Sequence, residues 1–220
     1  IYSEIFKVAI NSIKNFEEKQ QYKIDIPASG NDNKIFDRLK GSLGLSRENG
    51  FIDVFNTYIS LLNKIEFEEL QSELYPFYRK EGYTVPSIFK IELYGNTRGP
   101  LFQYGYSVDF KLTLHQMMLA LAGYSISRCL RTRIEEGYIT MFAFPYDLYT
   151  LQVFAEKKIQ DNLREKRLKS PKPEEALILW LLFEANITSS LYLVGIKDPA
   201  GQKPAELTVE YLLPLETLYN

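Results

Sequence analysis

The sequence predicts an α+β fold that is mainly helical, with helices packed around one buried central helix and a small antiparallel sheet. Three observations lead there. Apolar residues recur at spacings of three and four through residues 1–19 and 51–80, the stripe of an amphipathic helix. Every residue from Met117 to Ala122 is apolar, inside a longer apolar stretch from Leu112 to Ile134. A helix that is apolar all round is buried all round. Finally, Tyr138 to Phe144 is rich in aromatic and β-branched residues and is closed by Pro145, which is a strand signal.

In chain order, Ile5, Phe6, Ala9, Ile10, Ile13 and Phe16 form the stripe of the first helix. Residues 22–26 alternate briefly and stop at Pro27, and Ala28 to Asn33 is loop chemistry. Lys34 to Lys40 predicts one or two helical turns, broken by Gly41-Ser42-Leu43-Gly44. These glycines do not form a phosphate loop, because the spacing differs and no Gly-Lys-Ser/Thr follows. Phe51 to Lys80 reads as one long helix, with Ile52, Phe55, Ile59, Leu62, Ile65, Leu70, Leu74 and Phe77 on one side.

Ser87 to Tyr94 and Leu101 to Phe110 predict a hairpin around the turn Gly95 to Pro100. The central helix follows. Thr113 is placed to cap it, the small residues Ala120 to Gly123 permit close packing, and Gly137 closes it as a left-handed cap. Its basic end carries Arg128, Arg131 and Arg133, read either as cations complementing the helix dipole or as an anion site at the rim of the core. Tyr138–Phe144 alternates poorly, so both of its faces are expected to be covered. Asp147 to Leu168 reads as a helix that grows basic, Ser170 to Pro173 as a stiff linker, and Glu174 to Ser190 as a second buried helix. Leu191–Ile196 and Leu207–Leu212 read as two strands around the turn Asp198 to Gly201. Residues 1–80 thus form a helical N-terminal part and 81–220 an α+β core, within one domain.

A chain of 220 residues with 45% hydrophobic residues can bury a sizeable core. The net charge of −2 excludes a polycation, so any nucleic-acid contact must come from local patches. A single cysteine rules out an internal disulfide framework and suits a reducing cytoplasm. No signal-peptide pattern is present, and the apolar run Ala176 to Phe183 is far short of the ~20 residues a membrane helix needs. Beginning at Ile1 rather than Met, the chain reads as a fragment or a trimmed protein.

Catalytic chemistry leaves little trace. His115 is the only histidine, and Cys129 lies about four turns further along the same predicted helix, too far for a Cys–His nucleophile. His115 therefore reads as a satisfied core or boundary residue. Glu66, Glu68, Glu69 and Glu73 read as a solvated face rather than a metal site, since no histidine is near in sequence. Asp109, Asp147 and Glu184 carry no spacing that argues for a shared site. No nucleophile-elbow, dinucleotide or zinc-protease motif occurs. The expectation is a protein with no catalytic residues, no metal and no cofactor.

Binding is the better supported class. From Ala155 to Lys172 there are seven basic residues (Lys157, Lys158, Arg164, Lys166, Arg167, Lys169 and Lys172) against three acidic ones (Glu156, Asp161 and Glu165). Lys157 and Arg164 share a helical face, with Leu148, Leu151, Ile159 and Leu163 opposite. Such a strip can follow a phosphate backbone by releasing counterions, or can simply be a solvated helix end. Asn96 and Arg98 at the predicted hairpin tip are residue types that make bidentate contacts to base edges, and an ordinary polar turn is the alternative. Arg128 and Arg131 complete the expected nucleic-acid-binding set.

The order of features then acquires a meaning. A hairpin, a long apolar helix, the strand GYITMFAFP, the basic helix LQVFAEKKIQDNLREKRL and a final apolar helix leading into LYLVGIKDPAGQKPAEL follow one another over residues 80–220. Together they resemble the large subunit of an archaeal type I CRISPR interference complex, of the I-A kind. The resemblance implies a non-catalytic subunit of a crRNA-guided ribonucleoprotein. It would contact the crRNA end and the backbone subunit, and read a short motif beside the target DNA through loops, while a separate nuclease-helicase cuts. Two other classes stay open: a protein–protein scaffold whose aromatics supply the contact surface, and an enzyme built from carboxylates that folding gathers.

Overall fold

The computed structural model describes residues 2–20, 30–74, 81–86, 89, 111–134, 137–145, 190–197 and 206–213, with backbone alone at 15–20, 30–31, 129–134, 137–138, 145, 206, 209, 211 and 213. The elements are α1 (Tyr2–Gln20), α2 (Gly30–Ser42), α3 (Phe51–Leu62), α4 (Phe67–Leu74), β1 (Tyr83–Thr84), β2 (Lys111–Leu112), α5 (Leu114–Ser127), β3 (Arg128–Ile134), β4 (Gly137–Pro145), β5 (Leu191–Lys197) and β6 (Glu206–Leu213). The fold is α+β and mainly helical, with antiparallel sheets, as the sequence predicts. The chain forms two compact units, described separately below. The first comprises residues 1–10, 25–122 and 199–205, and the second 11–24, 123–198 and 206–220.

In the first unit α1 buries Phe6, Ala9 and Ile10, the spacing of three and four that its sequence shows. Phe6 meets Phe55 and Tyr58 of α3 at ring-centroid distances of 5.8 and 4.8 Å, tilted and edge-on. These offset geometries suit the ring quadrupoles. The 51–80 segment is not one helix. It breaks between Leu62 and Phe67, where Asn63, Lys64 and Ile65 turn with hydrogen bonds to Ile59, Leu61 and Leu62. The buried side of α3 is Val54, Phe55 and Tyr58, so the stripe expected through Ile52, Ile59 and Leu62 is rotated, and those residues are half-buried. Helix α2 is longer than expected: it starts at Gly30, within the stretch read as loop, and buries Asp32, Phe36 and Leu39.

The central helix is shorter than its apolar stretch. Helix α5 starts with a reciprocal cap, in which Gln116 N donates to Thr113 Oγ1 at 3.1 Å and Thr113 N donates to Gln116 Oε1 at 3.0 Å. This is the capping box, with the two orphan donors satisfied by each other's side chains. Met117, Met118, Leu121 and Ala122 are fully buried, whereas Leu119, Ala120 and Gly123 are half-buried. The helix therefore has one partly open stripe. Among the described residues no neighbour exploits Gly123 for close approach, since a Cβ there would meet none of them within 4 Å.

In the second unit α5 ends at Ser127, whose Oγ donates to Gly123 O at 2.6 Å. Residues Arg128 to Ile134, expected to continue the helix, form β3 instead. From Leu130 onward apolar or β-branched residues alternate with arginines, and that alternation suits a strand. Gly137 is accordingly the first residue of β4, opposite Ile134, and not a helix cap. Strands β3, β4, β5 and β6 form an antiparallel sheet in chain order. Ile139 to Ala143 are all buried, so both faces of β4 are covered there, as its weak alternation predicts. The strands predicted at 191–196 and 207–212 are β5 and β6.

Candidate nucleic-acid interface

Most of the residues expected to touch nucleic acid lie outside the described residues: Asn96 and Arg98, and Lys157, Lys158, Arg164, Lys166, Arg167 and Lys169. The hairpin 87–110, apart from Phe89, and the basic and second buried helices lie there too. Two members of the set are placed. Arg131 stands in β3 opposite Thr140 of β4. Arg128, at the start of the same strand, is only 5% exposed, and its guanidinium lies 5.8 Å from the centre of the Tyr124 ring. Tyr124 in turn meets Phe142 edge-on at 5.0 Å. Arg128 is thus built into an aromatic cluster of the second unit rather than aimed outward from a helix end. Cys129 follows it in β3, where the register shifts between Arg128 and Leu130.

The first unit offers cations that pattern reading passed over. Tyr83 and Thr84 pair antiparallel with Leu112 and Lys111, so β1 and β2 hold together the two ends of segment 85–110. Lys111 Nζ donates to Thr84 Oγ1 at 2.8 Å. Tyr83 donates from its hydroxyl to Ser42 Oγ at 2.5 Å, and Arg38 of α2 lies over the Tyr83 ring at 5.4 Å. Arg38 Nη1 also donates to Gly82 O at 3.3 Å. Gly82 has φ +142, and a Cβ there would lie 2.5 Å from Leu112 O. Only glycine fits this approach. One turn before Arg38, Lys34 is likewise exposed. The signal for this pair was the i, i+4 spacing of Lys34 and Arg38 in a segment read as one or two turns.

His115 is 6% exposed and lies with Nδ1 2.5 Å from the Tyr58 hydroxyl. Burial pushes its pKa below the ordinary value, against the pull of Glu73 and Glu69. Burial also raises the Tyr58 hydroxyl well above the usual phenol range. The histidine is therefore a satisfied core residue, as expected. Glu66, Glu68 and Glu69 are exposed and Glu73 half-buried, and no cluster able to hold a metal ion exists among the described residues. No helix among them is long and apolar enough to cross a membrane.

On the sheet of the second unit, Phe144, Tyr192 and Leu212 stand opposite one another across β4, β5 and β6. Phe144 is 41% and Leu212 60% exposed. Phe144 stacks on Phe142 and tilts against Tyr192, both at 6.3 Å between ring centres, and the Tyr192 hydroxyl donates to Glu210. An open apolar row beside a carboxylate can receive a protein surface. The sequence read Leu212 only as part of a returning strand.

A family model described as CRISPR-associated protein, CsaX, matches residues 2–220. No curated protein and no solved structure matches the chain.

Proposed function

The chain belongs to the CsaX family of CRISPR-associated proteins, and on that premise we propose that it is a non-catalytic, nucleic-acid-binding subunit of a crRNA-guided antiviral complex. It contacts crRNA and target DNA, together with other protein subunits, in the cytoplasm of an archaeon, and the complex is of type I, I-A kind. The family match carries the reading. It takes in both the basic segment 155–172 and residues 85–110 with Asn96 and Arg98. The charge pattern supports the nucleic-acid part, since seven cations against three carboxylates in one segment attract a polyanion. Filter binding to RNA, DNA and the crRNA complex over a salt series tests it. The log–log slope should be negative, and Lys157→Glu with Arg164→Glu should flatten it. Failure to bind any of the three ends the proposal.

One observation favours a second reading, a scaffold that holds another protein. The row of exposed Phe144, half-buried Tyr192 and exposed Leu212 offers apolar area of the type found at protein interfaces. A pull-down after nuclease treatment separates the two readings, because a partner retained without nucleic acid belongs to the scaffold.

A further inference from the structure

Resting on that nucleic-acid reading, we propose that Lys34 and Arg38 of α2 form a separate contact to the phosphate backbone, independent of the basic segment after Ala155. Both side chains are exposed, one turn apart on the same side of the helix. Like charges at this spacing repel and destabilise a helix. Among the described residues no carboxylate lies within ion-pair distance of either; the neighbouring Asp37 pairs with Arg47 at 3.2 Å. The contacts that Arg38 does make, to Gly82 O and the Tyr83 ring, carry no opposite charge, so the pair breaks a local rule, which is the pattern expected where a surface serves a partner.

Arg38 is also held in place before any partner arrives. Gly82 O accepts one of its N–H groups and the Tyr83 ring supports it, while Tyr83 is anchored on Ser42. A guanidinium has five N–H donors in a rigid fork, so one bond to Gly82 leaves donors for a phosphate. Lys34 adds a compact, mobile charge beside it. Two adjacent cations, one oriented and one adaptable, fit neighbouring phosphates of one strand. The shared chemistry is the phosphodiester, whether RNA or DNA supplies it.

The test measures affinity against salt for the whole protein with a mixed-sequence single-stranded RNA, its DNA counterpart and the DNA duplex. The proteins are wild type, Lys34→Gln/Arg38→Gln, and the exposed control Lys64→Gln. Each lost phosphate contact lowers the slope by about 0.7 on a single strand and about 0.9 on a duplex. The double variant should therefore lose about 1.4 or about 1.8, and the control should lose nothing. The probe with the largest loss identifies the strand this surface follows. A double variant that binds with the wild-type slope on all three probes overturns this contact and leaves the proposed function standing. A wild type that binds none of them overturns this contact, and the proposed function falls with it only when the crRNA complex is left unbound as well.

Discussion

The Tyr58 hydroxyl lies 2.5 Å from His115 Nδ1, tying α3 to the first turn of α5 inside the first unit. Burial keeps both groups neutral. A phenol is the better donor and an imidazole nitrogen the better acceptor, so Tyr58 donates and the imidazole proton sits on Nε2. Tyr58→Phe deletes the donor and leaves a buried acceptor unsatisfied, which costs about 1–3 kcal/mol. Urea unfolding monitored by circular dichroism measures the loss. A midpoint equal to wild type would show that the bond contributes nothing net.

The same site predicts a pH dependence. The folded-state pKa of His115 is lowered, chiefly by burial, while Glu73 and Glu69 oppose the shift. The unfolded chain therefore binds a proton at higher pH than the folded one does. Stability from this group is complete above the unfolded value of about 6.5 and falls as pH drops from there toward the folded pKa. Unfolding of wild type and His115→Gln between neutral and mildly acidic pH should show a steeper decline for wild type. Parallel curves would remove His115 as the cause.

Gln116 does three jobs at the start of α5. It accepts from Thr113 N, its own N–H donates to Thr113 Oγ1, and its Nε2 donates to Leu74 O at 2.9 Å. Gln116→Glu keeps the cap acceptor but cannot donate to Leu74, whereas Thr113→Val removes the hydroxyl that accepts from Gln116 N. Losing the cap costs about 1 kcal/mol; Gln116→Glu also leaves the half-buried Leu74 carbonyl without its donor and sets a carboxylate oxygen against it, at about 1–3 kcal/mol. Thermal melts of the two variants should therefore rank Gln116→Glu as the less stable. The reverse order would place the energy in the cap.

These contacts also show what the sequence could reveal. Thr113 is a cap residue in an apolar context, and its role was legible from residue type alone. The strand at 137–145 was legible too, because aromatic and β-branched residues run straight into Pro145. The end of the central helix was not. Leu130, Arg131, Thr132, Arg133 and Ile134 alternate with a period of two, but the apolar run before them continues the helical reading, and pairing with β4 decides the outcome. Contacts between residues far apart in the chain leave no local mark either, as between His115 and Tyr58, 57 positions apart, and Arg38 and Gly82, 44 apart. Charge patterning pointed to the long run after Ala155, while the two-cation pair on α2 stayed below notice because only tertiary contact orients Arg38.

Gly82 gives that orientation a test in stability. Its φ of +142 lies where side chains are strained, and the Leu112 carbonyl occupies the space a Cβ needs. Gly82→Ala must therefore push β1 away from β2 or distort the turn. Strain of this type costs on the order of 1–3 kcal/mol. In a double-mutant cycle with Arg38→Gln, the two effects should be non-additive, because moving Gly82 O also removes the Arg38 bond. Strict additivity in chemical denaturation would show that Arg38 does not depend on the Gly82 backbone.

Leu212 and Met141 belong to one sheet but predict opposite outcomes. Met141 is fully buried in β4, whereas Leu212 at the outer row of β6 is 60% exposed. Met141→Ala removes packed atoms and leaves a cavity, at about 2–5 kcal/mol. Leu212→Ser removes area that already meets water, and surface changes of this type stay within about 0.5 kcal/mol. If the row with Phe144 and Tyr192 holds a protein partner, Leu212→Ser should reduce retention of that partner after nuclease treatment while the urea midpoint stays at the wild-type value. Loss of retention together with a lowered midpoint would trace the effect to folding, and full retention would free the row from any partner role. The comparison works because burial differs so sharply between two strands of a single sheet, which lets stability and contact be read apart.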